Sequence, residues 1–190
     1  RAHPHQDIQL RHRLANKQTP FAIFFGCADS RVAAEIIFDQ GLGDLFVVRT
    51  AGHVVDASVL GSMEFAVGLL DVRLIVVLGH DSCGAVKAAV DAVEEGEMPG
   101  GFLRDIVERV TPSVLAARKK GETSTFGIET EHVRHTSRLL STRSSLIADR
   151  IAGGTLGIIG AAYRLKEGEA KIVESIGMDP PKRVFRDARV

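Results

Sequence analysis

Two short stretches gather the side chains of this sequence that can hold a metal or move a proton. One is Phe25-Gly26-Cys27-Ala28-Asp29-Ser30-Arg31; the other is Leu78-Gly79-His80-Asp81-Ser82-Cys83-Gly84. Each leaves an apolar segment through a glycine and enters polar residues that can open a helix. Cys27 and Cys83 are the only cysteines of the chain, and they occupy comparable places in the two stretches. His80 and Cys83 are three residues apart, close to one helical turn, so both can face the same way. Two thiolates and an imidazole suit zinc, and three protein ligands leave a fourth position for water, as catalytic sites do. Asp29 stands two residues after Cys27, within reach of such a metal or of its water. Arg31 can hold Asp29 through a two-point ion pair. That gives two states: Asp29 on the metal with water shut out, or Asp29 drawn off by Arg31 with water admitted. Two other readings stand beside this one. Buried cysteines near strand ends can be packing residues, and two thiols can form a redox pair, although they are far apart in sequence and form no Cys-x-x-Cys.

Convergence of these residues requires particular elements. Residues 21–26 and 74–79 are continuous apolar runs, the pattern of strands buried on both faces of a parallel sheet. If those strands are neighbours, their carboxyl ends bring Cys27, His80 and Cys83 together, where open α/β sheets place ligand sites. Further strands are expected at 44–49 and 156–160, with 169–175 a possible edge strand. Helices are expected over 8–15, 32–39, 58–70, 85–95, 104–119 and 129–147. This alternation predicts the α/β class: a single domain with a mainly parallel central sheet of four strands plus a possible edge strand, flanked by helices. Residues 1–20 read as a polar, basic arm and 21–190 as the domain.

Length and charge narrow the function classes. The chain has 190 residues, 24 basic and 24 acidic side chains and 45% hydrophobic residues, enough for one sizeable core. Zero net charge gives no general attraction to nucleic acid or anionic membrane, so neither is expected as a partner. No apolar run approaches the ~20 residues that span a bilayer, residues 1–4 do not form a signal peptide, and the missing initial methionine suggests a start downstream of the natural one. A cytoplasmic, reducing location is expected.

Other residues take plain readings. His53 follows Ala51-Gly52 and reads as structural, with proton relay as the minor reading. His132 and His135 read as a solvated helix face, His3, His5 and His12 as arm residues, and Arg118-Lys119-Lys120 as a solvated helix end. Asp81 and Ser82 read as caps of the helix after residues 74–79. Met63, Phe65 and Val67 read as core or interface.

At Cys27-Ala28-Asp29-Ser30-Arg31-Val32 and Gly79-His80-Asp81-Ser82-Cys83-Gly84 the chain closely resembles the two signatures of β-class carbonic anhydrases. The similarity extends through residues 46–52, 61–66 and 154–163, covers roughly residues 18–165, and is strongest to bacterial, actinobacterial-type members with plant-like active-site residues. The resemblance implies zinc-dependent, reversible hydration of carbon dioxide to bicarbonate and a proton by zinc-bound hydroxide. It implies Cys27, His80 and Cys83 as zinc ligands, Asp29 as a ligand in a closed state only, and Asp29 and Arg31 as the catalytic dyad. It also implies Gln18, Phe46 and Gly84 as substrate-binding residues. A homodimer, or a dimer of dimers forming a homotetramer, is implied as well, with Gln18 and Phe46 serving a partner's zinc. The N-terminal helix that embraces the partner in this family is largely missing before Arg1, so residues 1–20 correspond to its truncated remainder.

The chain departs from the family in places. One branch carries Trp, Arg and Tyr around an inhibitory bicarbonate pocket; here Phe24 replaces the Trp, while Arg49 and Tyr163 match the others. Thr50 stands where many members have Asn. Two thiolates make zinc a weaker Lewis acid than three imidazoles would, so activity is expected to favour alkaline pH. Gln18 can donate to a substrate oxygen. The competing functions are a hydrolase of carbonyl sulfide or carbon disulfide on the same zinc set, and a non-catalytic, zinc-stabilised binding module.

Overall fold

The apolar run of residues 21–26 becomes β1 (Ala22–Cys27), every residue of which is buried. In the computed structural model, which describes residues 7–180 and the backbone of Phe185 and Arg186, β1 lies between two parallel neighbours. These are β2 (Leu45–Thr50) and β3 (Leu74–His80). Next to β3 comes the parallel β4 (Gly157–Arg164), then the antiparallel β5 (Glu169–Ile176) and a two-residue β6 (Phe185–Arg186). The order is β2-β1-β3-β4-β5-β6. The expected α/β class and four-strand parallel sheet are present, with β5 as the added antiparallel strand. β6 was not foreseen, because two residues carry no readable periodicity.

This order positions the site. The chain steps from β1 to β2 on one side, then returns to β3 on the other side of β1. Connections that diverge in this way leave a crevice at the carboxyl ends of the two middle strands. Cys27 and His80 are the last residues of those strands.

Seven helices are present among the described residues: α1 (Ile8–Leu14), α2 (Ala34–Ile37), α3 (Ala57–Leu69), α4 (Gly84–Glu95), α5 (Leu103–Lys119), α6 (Thr125–Arg143) and α7 (Ser145–Ala152). A short 3-10 turn, Ala51–His53, follows β2. α2 is shorter than expected, because Ala33 stays extended and offers no side-chain cap. The helix read over 129–147 is two helices. Ser144 takes an extended conformation, its Oγ accepts the Ile147 N–H at 3.2 Å, and the same hydroxyl donates to Glu64 at 2.7 Å. A serine that can cap a new helix competes with continuing the old one. The caps read at Asp81 and Ser82 are also corrected. Cys83 is the N-cap residue of α4, without a side-chain cap bond. Asp81 instead accepts the Leu165 N–H at 2.9 Å and ties the end of β4 to the end of β3.

Alternation along β1 divides the packing. Ile23 and Phe25 join Val59, Met63, Val67, Ile75, Val133 and Leu140 in one cluster. Phe24 faces the other way, against Val32, Leu78 and Tyr163. A third cluster joins α4, α5 and α6 through Val86, Ala89, Val107, Val110, Val114 and Ile128, and includes Cys27 and Cys83. β3 meets α6 closely at Gly79, where an added Cβ would lie 2.4 Å from Val133 Cγ2; only glycine permits that approach. Met63 and Val67 are core residues, while Phe65 is half exposed and stacks on Phe46. Arg118 and Lys120 pair with Glu94 and Glu131. His12 is exposed on α1, and His3 and His5 lie outside the described residues. Among the described residues no helix is long and apolar enough to cross a membrane.

Candidate metal centre and active site

Cys27 at the end of β1, His80 at the end of β3 and Cys83 at the start of α4 meet in the crevice between the two strands. Their ligand atoms all lie within 4.8 Å of one another, and all three residues are buried. The two sulfurs are 3.9 Å apart and the cysteines are free. Two thiolates on one tetrahedral zinc, each about 2.3 Å from it, stand roughly 3.8 Å apart, so this spacing fits a shared ion. His80 is oriented for the same purpose. Its Nδ1 lies 2.8 Å from the Asp81 carbonyl, and a carbonyl only accepts, so Nδ1 carries the proton. That leaves the Nε2 lone pair facing the sulfurs, and Nε2 is buried without a hydrogen-bond partner. An orphaned imidazole nitrogen beside two thiols is a site a divalent ion would satisfy.

The surroundings favour negative charge on sulfur. The shared hydrogen bond with Cys83 pulls the Cys27 thiol well down against the opposing effect of burial, with help from His80 and the Gly52 N–H. The same bond, with burial, pushes the Cys83 thiol up. Burial would lower His80, but the nearby Cys27 sulfur, the Asp81 carbonyl and the Asp29 carboxylate outweigh burial and raise it. The Cys83 N–H donates to Glu129 Oε1 at 2.9 Å.

Asp29 and Arg31 form the ion pair read from their spacing. Arg31 Nε reaches Asp29 Oδ1 at 2.9 Å and its Nη2 reaches Oδ2 at 2.7 Å, while the Arg31 N–H donates to Oδ1 at 2.9 Å. These bonds hold the Asp29 carboxyl well below the usual carboxylate range. Asp29 Oδ2 is also 4.0 Å from His80 Nε2, so the carboxylate borders the ligand cluster. Arg31 is steadied by the Ser82 carbonyl at 3.2 Å. Arg49 gives its Nε and Nη2 to the carbonyls of Cys27 and Asp29, at 2.8 and 2.5 Å. It therefore clamps the turn that carries both residues.

Gln18 and Phe46 are placed elsewhere. Gln18 is exposed before the amino end of β1, and Phe46 pairs with Ile23 near that same end. At about 3.3 Å per residue, the register puts Phe46 roughly 13 Å along the sheet from the level of Cys27. Gly84 opens α4 beside Cys83, and a Cβ there would meet nothing within 4 Å. Phe24 is buried against Phe38.

The reading of His132 as a solvated residue is wrong. It is 2% exposed, its Nδ1 lies 2.8 Å from Ser113 Oγ, and its Nε2 lies 2.8 Å from the Gly52 carbonyl. Glu129 was likewise missed. Helical phasing could have found both: Ile128, His132, Thr136 and Leu140 recur every four residues, and Glu129, Val133 and Ser137 form the adjacent row. Apolar anchors in each row place the polar members on the buried face. His53 is buried as well, its ring centre 4.4 Å from that of His132, and neither of its ring nitrogens has a hydrogen-bond partner.

These buried groups predict acid sensitivity. Burial pushes His132 down to about 4 and His53 well below the ordinary value of 6.5, and pushes Glu129 up to about 7. From about pH 6.5 to 4.5, unfolding takes up a proton at each imidazole and releases one from Glu129. Cys27, held as thiolate, adds uptake in the same sense. Stability is therefore expected to fall on acidification across that window, because the unfolded chain binds more protons there than the folded one. Denaturant midpoints measured across it check this; an unchanged midpoint would contradict buried, neutral imidazoles.

A family model described as carbonic anhydrase matches residues 22–170. A Mycobacterium tuberculosis protein named carbonic anhydrase 2 is 59% identical over 175 residues, covering 92% of this chain and 84% of that protein. A solved Coccomyxa β-carbonic anhydrase in complex with acetazolamide superposes with a TM-score of 0.78 at 26% identity, covering 87% of this chain and 78% of the other. One of two tetrameric β-carbonic anhydrases of Sordaria macrospora superposes at 0.79 and 25% identity, covering 89% and 88%.

Proposed function

The chain belongs to the β-class carbonic anhydrase family, and from that premise we propose that it reversibly hydrates carbon dioxide to bicarbonate and a proton, using zinc held by Cys27, His80 and Cys83. The observation that carries this reading is the cluster itself: two sulfurs 3.9 Å apart, facing an imidazole nitrogen whose ring is already oriented by a carbonyl. Zinc, when bound there, supplies a Lewis acid that makes water a usable nucleophile near neutral pH.

The protein's own residues do the rest. Asp29, ionised and held at both oxygens by Arg31, accepts a hydrogen bond from the attacking water and turns a lone pair toward the substrate carbon. Rotating Asp29 off Arg31 would bring its carboxylate onto the ligand cluster and exclude water, so the ion pair keeps the site open. The bare Gly84 leaves space beside Cys83. Gln18 and Phe46 lie at the far end of β1 and β2, which favours their serving the site of a second subunit. Exposed Phe65 and Leu69 support such a homodimer, and the tetrameric neighbour allows a dimer of dimers. The proton released leaves to buffer. Two thiols that must stay reduced suit the cytoplasm.

Metal analysis with stopped-flow hydration tests the proposal. One zinc per chain is expected, with activity lost on chelation and restored by zinc. A metal-free chain that hydrates carbon dioxide as fast would overturn the reading, and turnover of carbonyl sulfide alone would replace it.

A further inference from the structure

Behind the proposed zinc site lies a hydrogen-bond chain that ends on one ligand sulfur. Ser113 on α5 meets His132 on α6 at 2.8 Å, His132 meets the Gly52 carbonyl at 2.8 Å, and the Gly52 N–H donates to Cys27 Sγ at 3.3 Å. Ser113 has no exposed surface and His132 has 2%, so water does not compete for these bonds. The direction of each bond is fixed. A carbonyl only accepts, so His132 must carry its proton on Nε2, and Nδ1 is left to accept the Ser113 hydroxyl proton. Burial holds the ring neutral, which keeps that tautomer.

Gly52 is the joint of the chain. Its φ of 61° is left-handed, and a Cβ would lie 2.7 Å from the Ala85 side chain, so only glycine holds this conformation without displacing α4. The carbonyl and the N–H of Gly52 belong to successive peptides joined at its Cα; with that joint held in the left-handed conformation against Ala85, anchoring the carbonyl also orients the N–H, which donates to the sulfur. From this we infer that His132 is a positioning residue for the metal centre: by holding the Gly52 carbonyl, it steadies the turn that aims the Gly52 N–H at Cys27 and so sets the orientation and charge of that ligand. The inference rests on the zinc reading above. Outer partners of this kind commonly change metal affinity about 10–100-fold when removed.

Two substitutions separate this role from simple packing. His132→Gln can keep an amide N–H at the place of Nε2. His132→Phe keeps the ring and its contact with His53 but has no donor. Zinc retention is measured by competition with a chelator, on protein shown to be folded by circular dichroism. The Gln variant is expected to stay within a few-fold of the parent, and the Phe variant to bind zinc at least about tenfold more weakly. Equal affinity in both, or better retention by Phe, overturns the inference. Nitrogen NMR of the unsubstituted chain gives a second readout that needs neither variant to fold. Nε2 of His132 is expected to be protonated and Nδ1 unprotonated at neutral pH; the opposite tautomer overturns the inference. If the parent itself binds no zinc, the zinc reading fails first, and the tautomer still reports separately on the hydrogen-bond chain.

Discussion

Exchanging Cys27 for serine is expected to reduce carbon dioxide hydration to background and to leave the chain without stoichiometric zinc. Serine has nearly the shape of cysteine, so the change isolates the chemistry of the sulfur. Its hydroxyl stays protonated where the Cys27 thiol is pulled well below its usual range, and a neutral oxygen is a poor substitute for a thiolate on zinc. The loss should exceed the roughly 10–100-fold that follows from removing an outer partner. The fold should survive, because β1 is held mainly by Ile23, Phe24 and Phe25, which have almost no exposed surface. Metal content, hydration rate and the circular dichroism spectrum check the three parts together. Full zinc content in the folded variant would remove Cys27 from the ligand set.

The fold was largely legible because its strands are of the doubly buried kind. Residues 74–79 form an unbroken apolar run, and such runs have few destinations other than the middle of a parallel sheet. Junctions were less legible. Whether residues 129–147 continue as one helix depends on the Ser144 hydroxyl finding both Glu64 and the Ile147 N–H, and Glu64 is far away in sequence. The Asp81 carboxylate was read as a helix cap but is taken by the Leu165 N–H, a partner that exists only once β4 lies beside β3.

The site divides along the same line. The proximity of Cys27, His80 and Cys83 follows from two strand ends being neighbours, and the Asp29–Arg31 pair follows from local spacing. The layer behind them depends on His132 of α6 reaching the Gly52 carbonyl in the 3-10 turn, which nothing near Cys27 announces. His132 therefore looked like one half of a polar i, i+3 pair, although its row also contains Ile128 and Leu140. The resemblance marks Arg49 only as a match to an anion pocket, yet its guanidinium is committed to the Cys27 and Asp29 carbonyls. Long-range contacts to backbone carbonyls leave no mark in a single sequence.

Asp29→Asn tests the proposed reaction most directly, since it removes one charge and almost no volume. In the parent, both carboxylate oxygens accept from Arg31, and Oδ2 also borders His80 Nε2. Asparagine offers only one acceptor oxygen. If that oxygen stays on Arg31 Nε, the amide NH2 faces the Nη2 donor; if the amide is flipped, the NH2 faces Nε. Either way one bond of the pair is lost and the side chain shifts. The group left beside the cluster is neutral and a far weaker acceptor for the water's proton. The turnover number is expected to fall about 10²–10⁴-fold, the usual contribution of a positioned acid or base, while zinc content stays at that of the parent. Arg31→Met should also abolish activity, for a different reason. It releases a full carboxylate that can turn onto the ligand cluster, so this variant should hold zinc more tightly against a chelator than Asp29→Asn does. Stopped-flow hydration paired with chelator competition distinguishes the two outcomes. Equal zinc retention in both variants would show that Arg31 does not restrain Asp29, and parent-like turnover in Asp29→Asn would remove the carboxylate from the reaction.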